Sequence, residues 1–276
     1  MTYKTLMVHL DLLGDNEGLL KVTGDLAERF KANVIGIAAC QPLPPVYEEG
    51  LMTAEIITED RAEISKELAA VEAQFRTALK GRAAGLEWRS TVIYGSLADF
   101  IAEEARAADL ILTGRDMGGA LFDNTRRVNI GDLAMRAGRP VLIVPQGISA
   151  LALNNVFVGW KESRESRRAA ADALPLLKAA KAVNVLEVTK PDGVNNAQAH
   201  VKDVAAWLAR QGIDANPLAP PSMGTEIAMF RNLLRDCKCD LLVAGAYGHN
   251  RLGEWVFGGV TQDVLLDPDF CVLISH

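Results

Sequence analysis

Leu110-Ile-Leu-Thr-Gly114 recurs as Leu241-Leu-Val-Ala-Gly245, and Pro140-Val-Leu-Ile-Val144 recurs as Cys271-Val-Leu-Ile-Ser275. Both repeats are offset by 131 residues, so the spacing between the two strand-like segments is the same in each half of the chain. A short apolar run bounded by turn residues is typical of a buried parallel strand. The repeats therefore indicate one α/β unit that occurs twice.

The opening of each half is repeated as well. Thr5-Leu-Met-Val-His-Leu10, followed by Asp11, matches Asn155-Val-Phe-Val-Gly-Trp160, followed by Lys161. This offset is 150 residues, so the first half carries about 19 additional residues before its fourth strand. Most of this length falls in a charged amphipathic segment, 54–79, which predicts a long helix.

Strand patterns alternate with helix patterns along both halves, which predicts right-handed βαβ crossovers and a doubly wound parallel sheet. The predicted strands are 5–10, 34–39, 88–94, 110–113, 141–144, 156–160, 183–188, 215–218, 241–244 and 272–274. The predicted helices are 19–30, 54–79, 166–180, 197–210 and 226–234. Ligands of such sheets bind beyond the carboxyl ends of the strands, so binding groups are expected there.

Composition limits the partners of the chain. Of the 276 residues, 49% are hydrophobic and only 6% aromatic, which suits parallel sheets covered by helices on both faces. The net charge of -6 argues against nucleic acid as a partner, because phosphate binding needs a clustered positive surface. No stretch approaches the roughly 18 apolar residues of a membrane span, and the first residues show no signal-peptide pattern. We therefore expect a cytoplasmic protein without a membrane partner.

Cysteine and histidine positions predict no metal site. Four cysteines in this length make no disulfide framework, so they are expected to be reduced and mostly buried thiols. The Cys237-Lys-Cys239 pair lacks the further ligands that zinc needs. His9 falls within a predicted strand and is expected to be a hydrogen-bonded core histidine. No catalytic residue is predicted, because the sequence contains no phosphate-binding P-loop, dinucleotide fingerprint or nucleophile elbow.

One glycine pattern in the second half has the spacing of a ligand-binding loop. Ala244-Gly245-Ala246-Tyr247-Gly248 follows the fourth strand, and Gly258-Gly259-Val260-Thr261 opens a helix after nine intervening residues. Glycines let the backbone approach a ligand closely, and amides at a helix N-terminus hold phosphate oxygens. The alternative is that these glycines only turn the chain. His249 and Arg251 lie in the same loop and either reach a phosphate or remain solvated.

On this pattern the chain resembles the universal stress protein family in its tandem form, once per half. The resemblance implies two doubly wound, Rossmann-like domains of the adenine-nucleotide-hydrolase-like type, each with a five-stranded parallel sheet. The first domain would span residues 1–147 and the second 151–276. Family members often pair through the last strand. A tandem chain would form that pair internally, joining the strands at Val141 and Val272, and a homodimer would be a further assembly.

The resemblance also implies a site for ATP, with Mg²⁺, in the second half. Gly245, Gly248 and Gly258 match the family's phosphate-and-ribose loop, and Ala244 and Val260 flank it. The other candidate binding residues are Gly159, Trp160 and Lys161 after the first strand, Val188 at the position that touches adenine, and Tyr247, Gly259 and Thr261 in the loop.

Two departures from the family pattern separate the halves. Lys161 stands where the family has an adenine-side Asp, and Gly259 replaces the usual hydroxyl residue. In the first half Asp11 matches that Asp, so it is a further candidate, but Val128-Asn129 replace the Gly-Ser pair that would open the next helix. The first half is therefore expected to have lost its phosphate loop.

These observations support three hypotheses about function. The first is a stress-response binding and signalling protein that binds ATP or a related adenine nucleotide in its second domain. The second is an interaction scaffold that binds unidentified protein partners and no nucleotide. The third, slow ATP hydrolysis, has the least support because no general base lies beside the loop in the sequence.

Overall fold

The computed structural model describes residues 2–12, 14–42, 54–115, 127–246 and 270–276, with the backbone alone for 54–57. The strands are β1 (Thr5–His9), β2 (Asn33–Cys40), β3 (Leu86–Val92), β4 (Leu110–Gly114), β5 (Val141–Val144), β6 (Asn155–Gly159), β7 (Ala182–Leu186), β8 (Ala215–Leu218), β9 (Leu241–Gly245) and β10 (Cys271–Ser275). The helices are α1 (Glu17–Phe30), α2 (Ala54–Leu79), α3 (Leu97–Glu104), α4 (Ile130–Arg136), α5 (Arg164–Asp172), α6 (Leu174–Leu177), α7 (Val194–Arg210) and α8 (Glu226–Asp236).

All ten strands form one sheet in the order β3-β2-β1-β4-β5-β10-β9-β6-β7-β8. Pairing is parallel within each half, and β5 and β10 join the halves in antiparallel register, with Val272 opposite Ile143. This confirms the doubly wound fold, the five parallel strands of each half and the internal pair through the last strands. The proposed domain limits, 1–147 and 151–276, remain predictions.

The same two hydrogen bonds begin the first strand of each half. The Asp109 carboxylate accepts from the amides of Lys4 and Thr5 at 2.7 and 2.9 Å. In the second half the Asp240 carboxylate accepts from the amides of residues 154 and 155 at 2.6 and 2.7 Å. These aspartates are themselves 131 residues apart, so the duplication preserves side-chain contacts as well as the strand order.

Helices cover both faces of the sheet, as the low aromatic and high aliphatic content predicts. We call the side packed against α1, α2, α5, α6 and α7 the front face, and the side packed against α3, α4 and α8 the rear face. The front cluster runs through both halves, and Tyr3 of the first half donates a hydrogen bond to the Asp172 carbonyl of the second at 2.7 Å. Burial of aliphatic side chains on both faces is the main stabilising contribution.

Most element boundaries differ from the prediction by one to three residues, and two of the differences have a clear physical reason. The single helix predicted for 166–180 is two helices, α5 and α6, because Pro175 has no amide hydrogen to continue the ladder. Strand β7 ends at Leu186, two residues before the predicted Val188, where its partner β8 also ends. The predicted helix 54–79 coincides with α2.

The cysteines agree with the expectation of reduced thiols. Cys40, Cys239 and Cys271 are buried, Cys237 is exposed, and all four are free. Burial raises the pKa of the Cys271 thiol to about 12, so it stays protonated at neutral pH. Among the described helices none is long and apolar enough to cross a membrane.

Candidate functional site

Each half has a topological switch point, where the strand order reverses and the chain continues to strands on either side of one central strand. In the first half β1 lies between β2 and β4, and in the second β6 lies between β7 and β9. Helices leave such a point toward opposite faces, which opens a crevice at the carboxyl ends of the strands. Both predicted sites fall at these two points.

The loop after the central strand is built in the same way in both halves. The Asp11 amide donates to Asn16 Oδ1 at 3.1 Å, and the Lys161 amide donates to Ser166 Oγ at 3.3 Å. Asn16 also donates from Nδ2 to the Asp11 carbonyl at 2.8 Å, which closes the first loop more tightly. The two loops thus present different side chains, Asp11 and Lys161, from equivalent backbone positions.

In the second half the side predicted to receive the base is occupied by an ion pair. Lys161 Nζ lies 3.9 Å from Glu226 Oε2 in the first turn of α8, and both side chains are partly exposed. Val188 is buried in the rear-face cluster, which also contains Phe230 of α8. A Cβ at Gly159 would lie 3.0 Å from Phe230 Cζ, so the glycine lets α8 pack closely on β6.

The start of the glycine loop lies against the first turn of α5. A Cβ at Gly245 would lie 2.6 Å from the Ser166 amide nitrogen and 2.7 Å from the Glu165 carbonyl carbon. Burial acts to raise the pKa of Glu165, but hydrogen bonds from Arg164, the backbone and Ser163 outweigh it and hold the pKa below its usual range. Packing alone therefore requires a glycine at 245, and a carboxylate lies beside the loop.

The structure brings part of the predicted set together. Gly159, Lys161, Val188, Ala244 and Gly245 gather at the carboxyl edge of β6, β7 and β9, with Gly159 opposite Ala244 in the sheet. The other predicted loop residues lie outside the described residues: Tyr247, Gly248, Gly258, Gly259, Val260 and Thr261. His249 and Arg251 of the same loop lie outside them as well.

Two candidates lie apart from that group. Trp160 packs into the front cluster, on the opposite side of the sheet from Val188. Asp11 belongs to the crevice of the first half.

The first-half crevice is an open cleft of about 250 Å³. Asp11, Asn16, Arg115 and Arg127 line it together with the segment 144–147 that leads into the second half. No atom of the described residues lies within 4 Å of the place where a Cβ at Gly114 would be, in contrast to Gly245. Sequence reasoning missed the two arginines. The one available signal was that Arg115 directly follows the glycine that ends β4.

His9 lies beneath this cleft as a neutral core histidine, which confirms the expectation. Its Nδ1 is 3.0 Å from Thr113 Oγ1 across the β1–β4 pair. Burial lowers the pKa of His9 to about 4. The imidazole is therefore uncharged at neutral pH and contributes a hydrogen bond rather than a charge to the cleft.

Comparison with known proteins identifies the fold. A universal stress protein from Archaeoglobus fulgidus DSM 4304 superposes with a TM-score of 0.74 at 14% identity, covering 98% of this chain and 97% of that one. A putative universal stress protein from Pseudomonas aeruginosa UCBPP-PA14 gives 0.65 at 14% identity, with 99% and 93% covered. A functionally unknown protein from Pseudomonas aeruginosa PAO1 gives 0.61 at 15%, with 99% and 92% covered.

Neither a protein-family model nor a curated protein matches the sequence. The structural likeness nevertheless extends over the whole chain, including both halves. The fold predicted from the resemblance, that of a tandem universal stress protein with two Rossmann-like, adenine-nucleotide-hydrolase-like halves, is therefore confirmed.

Proposed function

We propose that this chain is a cytoplasmic stress-response binding and signalling protein that takes up ATP, with Mg²⁺, at the second-half switch point. The observation that carries the proposal is the position of the glycine pattern. It starts at the carboxyl end of β9, next to β6, where doubly wound sheets bind their ligands. Gly248 and Gly258 complete the spacing in the sequence.

The base side offers groups that suit adenine, although they differ from those of the resembling family. Adenine presents ring nitrogens that accept hydrogen bonds and an exocyclic amine that donates them. The Lys161–Glu226 pair supplies one donor and one acceptor, and Val188 supplies an apolar surface. In this proposal Lys161 donates to a ring nitrogen and Glu226 accepts from the amine.

The phosphate side fits a metal-bound nucleotide better than a bare one. Glu165 carries a negative charge beside Gly245 and would repel free phosphate. Mg²⁺ prefers oxygen ligands and neutralises phosphate charge, so it would reduce that repulsion.

Calorimetric titration with ATP and Mg²⁺ tests the proposal. We expect saturable heat at about one nucleotide per chain, reduced more than tenfold in affinity by Gly248→Val, because a side chain there would fill the space that the phosphates need. Gly114→Ala is the control, since it changes a glycine at the end of β4 in the first half, where an added Cβ meets no atom of the described residues within 4 Å. No saturable heat up to millimolar nucleotide in the wild type contradicts the proposal.

The second candidate function is a scaffold that binds unidentified protein partners and no nucleotide. Two contacts favour it, because the Lys161–Glu226 pair fills the base side and α5 packs on Gly245. The discriminating variant is Lys161→Asp, which restores the residue of the resembling family. Nucleotide binding by that variant, from a wild type that binds none, supports the scaffold.

Two finer points belong to the same proposal. Self-association to a homodimer, beyond the internal pair, is tested by sedimentation of the purified chain over a range of concentrations. Slow ATP hydrolysis is the least supported activity. It would be accepted only on steady phosphate release that Gly248→Val abolishes.

A further inference from the structure

A second cleft lies on the front face between α5 and α7, and none of its lining residues belongs to the glycine pattern. Its volume is about 430 Å³, within the range of small-molecule sites. Trp160 and Trp207 supply its aromatic lining, and Ala170 and Val204 supply its aliphatic lining. Two of the four tryptophans of the chain thus line a single cleft. Every one of its lining residues lies within the described part of the chain.

Trp160 carries a feature that packing does not explain. The residue is only 7% exposed, and its indole Nε1 is buried with no hydrogen-bond acceptor among the described residues. Buried N–H groups are almost always paired, and an unpaired one lowers stability. A phenylalanine would fill the same core position without that cost. An unpaired donor at the wall of a cleft instead suits a ligand that brings an acceptor.

The charges around the cleft are mainly negative. Asp203 lies at the rim and makes no ion pair among the described residues, whereas Glu162 is paired with Arg167. Behind them His200 Nδ1 lies 3.1 Å from Glu187 Oε2, which fixes the imidazole and leaves Nε2 without a partner in the described structure. The cleft is lined by two carboxylates and one guanidinium, and because Arg167 is paired with Glu162, Asp203 leaves an excess negative charge that favours a cation.

The corresponding groove of the first half lacks the aromatic lining. It lies between α1 and α2, and among its lining residues in the described ranges there are charged side chains and alanines but no aromatic side chain. The aromatic cleft is therefore particular to the second half and does not follow from the duplicated fold itself.

We propose that the α5–α7 cleft binds a small organic cation that also carries an oxygen acceptor, the class of alkylated amino alcohols. Indole rings are the best aromatic partners for a cation, and quaternary ammonium groups are recognised between such rings. Asp203 adds a carboxylate at the rim for the positive charge. In this proposal the unpaired N–H of Trp160 is the donor for the ligand oxygen. This site is independent of the glycine loop and of any nucleotide.

Calorimetric titration with choline, in nucleotide-free buffer, tests the inference. We expect saturable binding of choline and none of 3,3-dimethylbutan-1-ol, which has the same shape without the charge. Trp207→Leu should weaken choline binding about tenfold, through loss of one cation–aromatic contact. Asp203→Asn should weaken it roughly fivefold. Trp88→Phe, a tryptophan of the first half that packs on Phe75, is the control and should bind as the wild type does.

The outcomes separate this inference from the proposed nucleotide site. Choline binding that survives Gly248→Val supports an independent site, whether or not ATP binds. Circular dichroism of each variant confirms that it is folded before titration. The inference is overturned if choline gives no saturable heat in the folded wild type, if the neutral alcohol binds as tightly as choline, or if Trp207→Leu binds unchanged.

Discussion

In the first half Asp11 follows β1 and Gly114 ends β4 beside an open cleft, whereas in the second half Lys161 follows β6 and Gly245 lies against α5. The Asp11 and Lys161 amides each donate to a side-chain oxygen five residues later, so the turn after the central strand is shared between the halves. Duplication has therefore preserved the scaffold while the side chains at the strand ends diverged. Equivalent positions in the two halves can be tested as matched pairs, each half serving as the control for the other.

The largest expected difference comes from His9, because its counterpart by offset, Gly159, does not titrate. Burial lowers the pKa of His9 from 6.5 to about 4, so the unfolded chain takes up the proton at higher pH than the folded one. The stabilisation is complete above about pH 6.5 and is lost as the pH falls toward 4. We expect wild type to lose about 3 kcal/mol more unfolding free energy over that window than His9→Gln.

Urea unfolding of the two proteins between pH 7 and pH 4 provides the measurement. The comparison rests on the difference between them, since the carboxylates of both titrate alike. Parallel stability curves would show that His9 is not the group that distinguishes the halves.

The next difference concerns the two glycines that end β4 and β9. Gly245→Ala places a methyl group against the backbone of α5 and should lower the free energy of unfolding by about 2 kcal/mol. Gly114→Ala adds a Cβ that meets no atom of the described residues within 4 Å and should change it by less than about 0.5 kcal/mol. Denaturant midpoints of both variants measure the contrast, and equal effects would mean that α5 does not close the second strand end.

Asp109 and Asp240 are equivalent residues whose removal is expected to have the same effect on stability in both halves. Asp109→Ala and Asp240→Ala each remove two charge-assisted hydrogen bonds to strand amides, and each should cost about 1.5 kcal/mol. Thermal unfolding at neutral pH measures both losses. If one variant is neutral and the other is not, the strand-anchoring contacts have also diverged. The halves would then differ in more than the side chains at their strand ends.

The smallest effect is expected at the partly exposed Lys161–Glu226 pair. Lys161→Ala should change the free energy of unfolding by less than about 0.5 kcal/mol, because solvent screens the pair. Differential scanning calorimetry checks this, with Lys21→Ala on α1 as a control for an exposed pair. A clear destabilisation would assign Lys161 to the scaffold rather than to binding.

Periodicity and repetition were sufficient to predict the fold. The helix at about 54–79 and the strand 141–144 were predicted with the bounds that the structure shows, because each is a clear amphipathic or apolar run, whereas the strand near 215–218 gave only a weak signal. The antiparallel joint of β5 and β10 followed from the family resemblance. The break at Pro175 was legible in the sequence but was missed, since the alanine-rich pattern continued past it.

The sites were less predictable because they depend on contacts between distant segments. That Gly245 has a packing role follows from α5, which lies about 80 residues earlier in the chain. Lys161 was recognised as a departure, but its partner Glu226 depends on how α8 packs. Arg115 and Arg127 line the same cleft only because β4 and α4 pack next to it. Local sequence patterns carry no information on which distant residues line a common site.

The antiparallel joint between β5 and β10 has a consequence for synthesis on the ribosome. Val141 is translated 130 residues before Cys271, so the edge of β5 stays uncovered while almost the whole second half is made. An exposed strand edge is a template for pairing with another chain, and neighbouring ribosomes on one messenger hold identical ones nearby. Nascent chains of this protein are thus exposed to mispairing until β10 emerges, and slowed translation of the second half would prolong that interval.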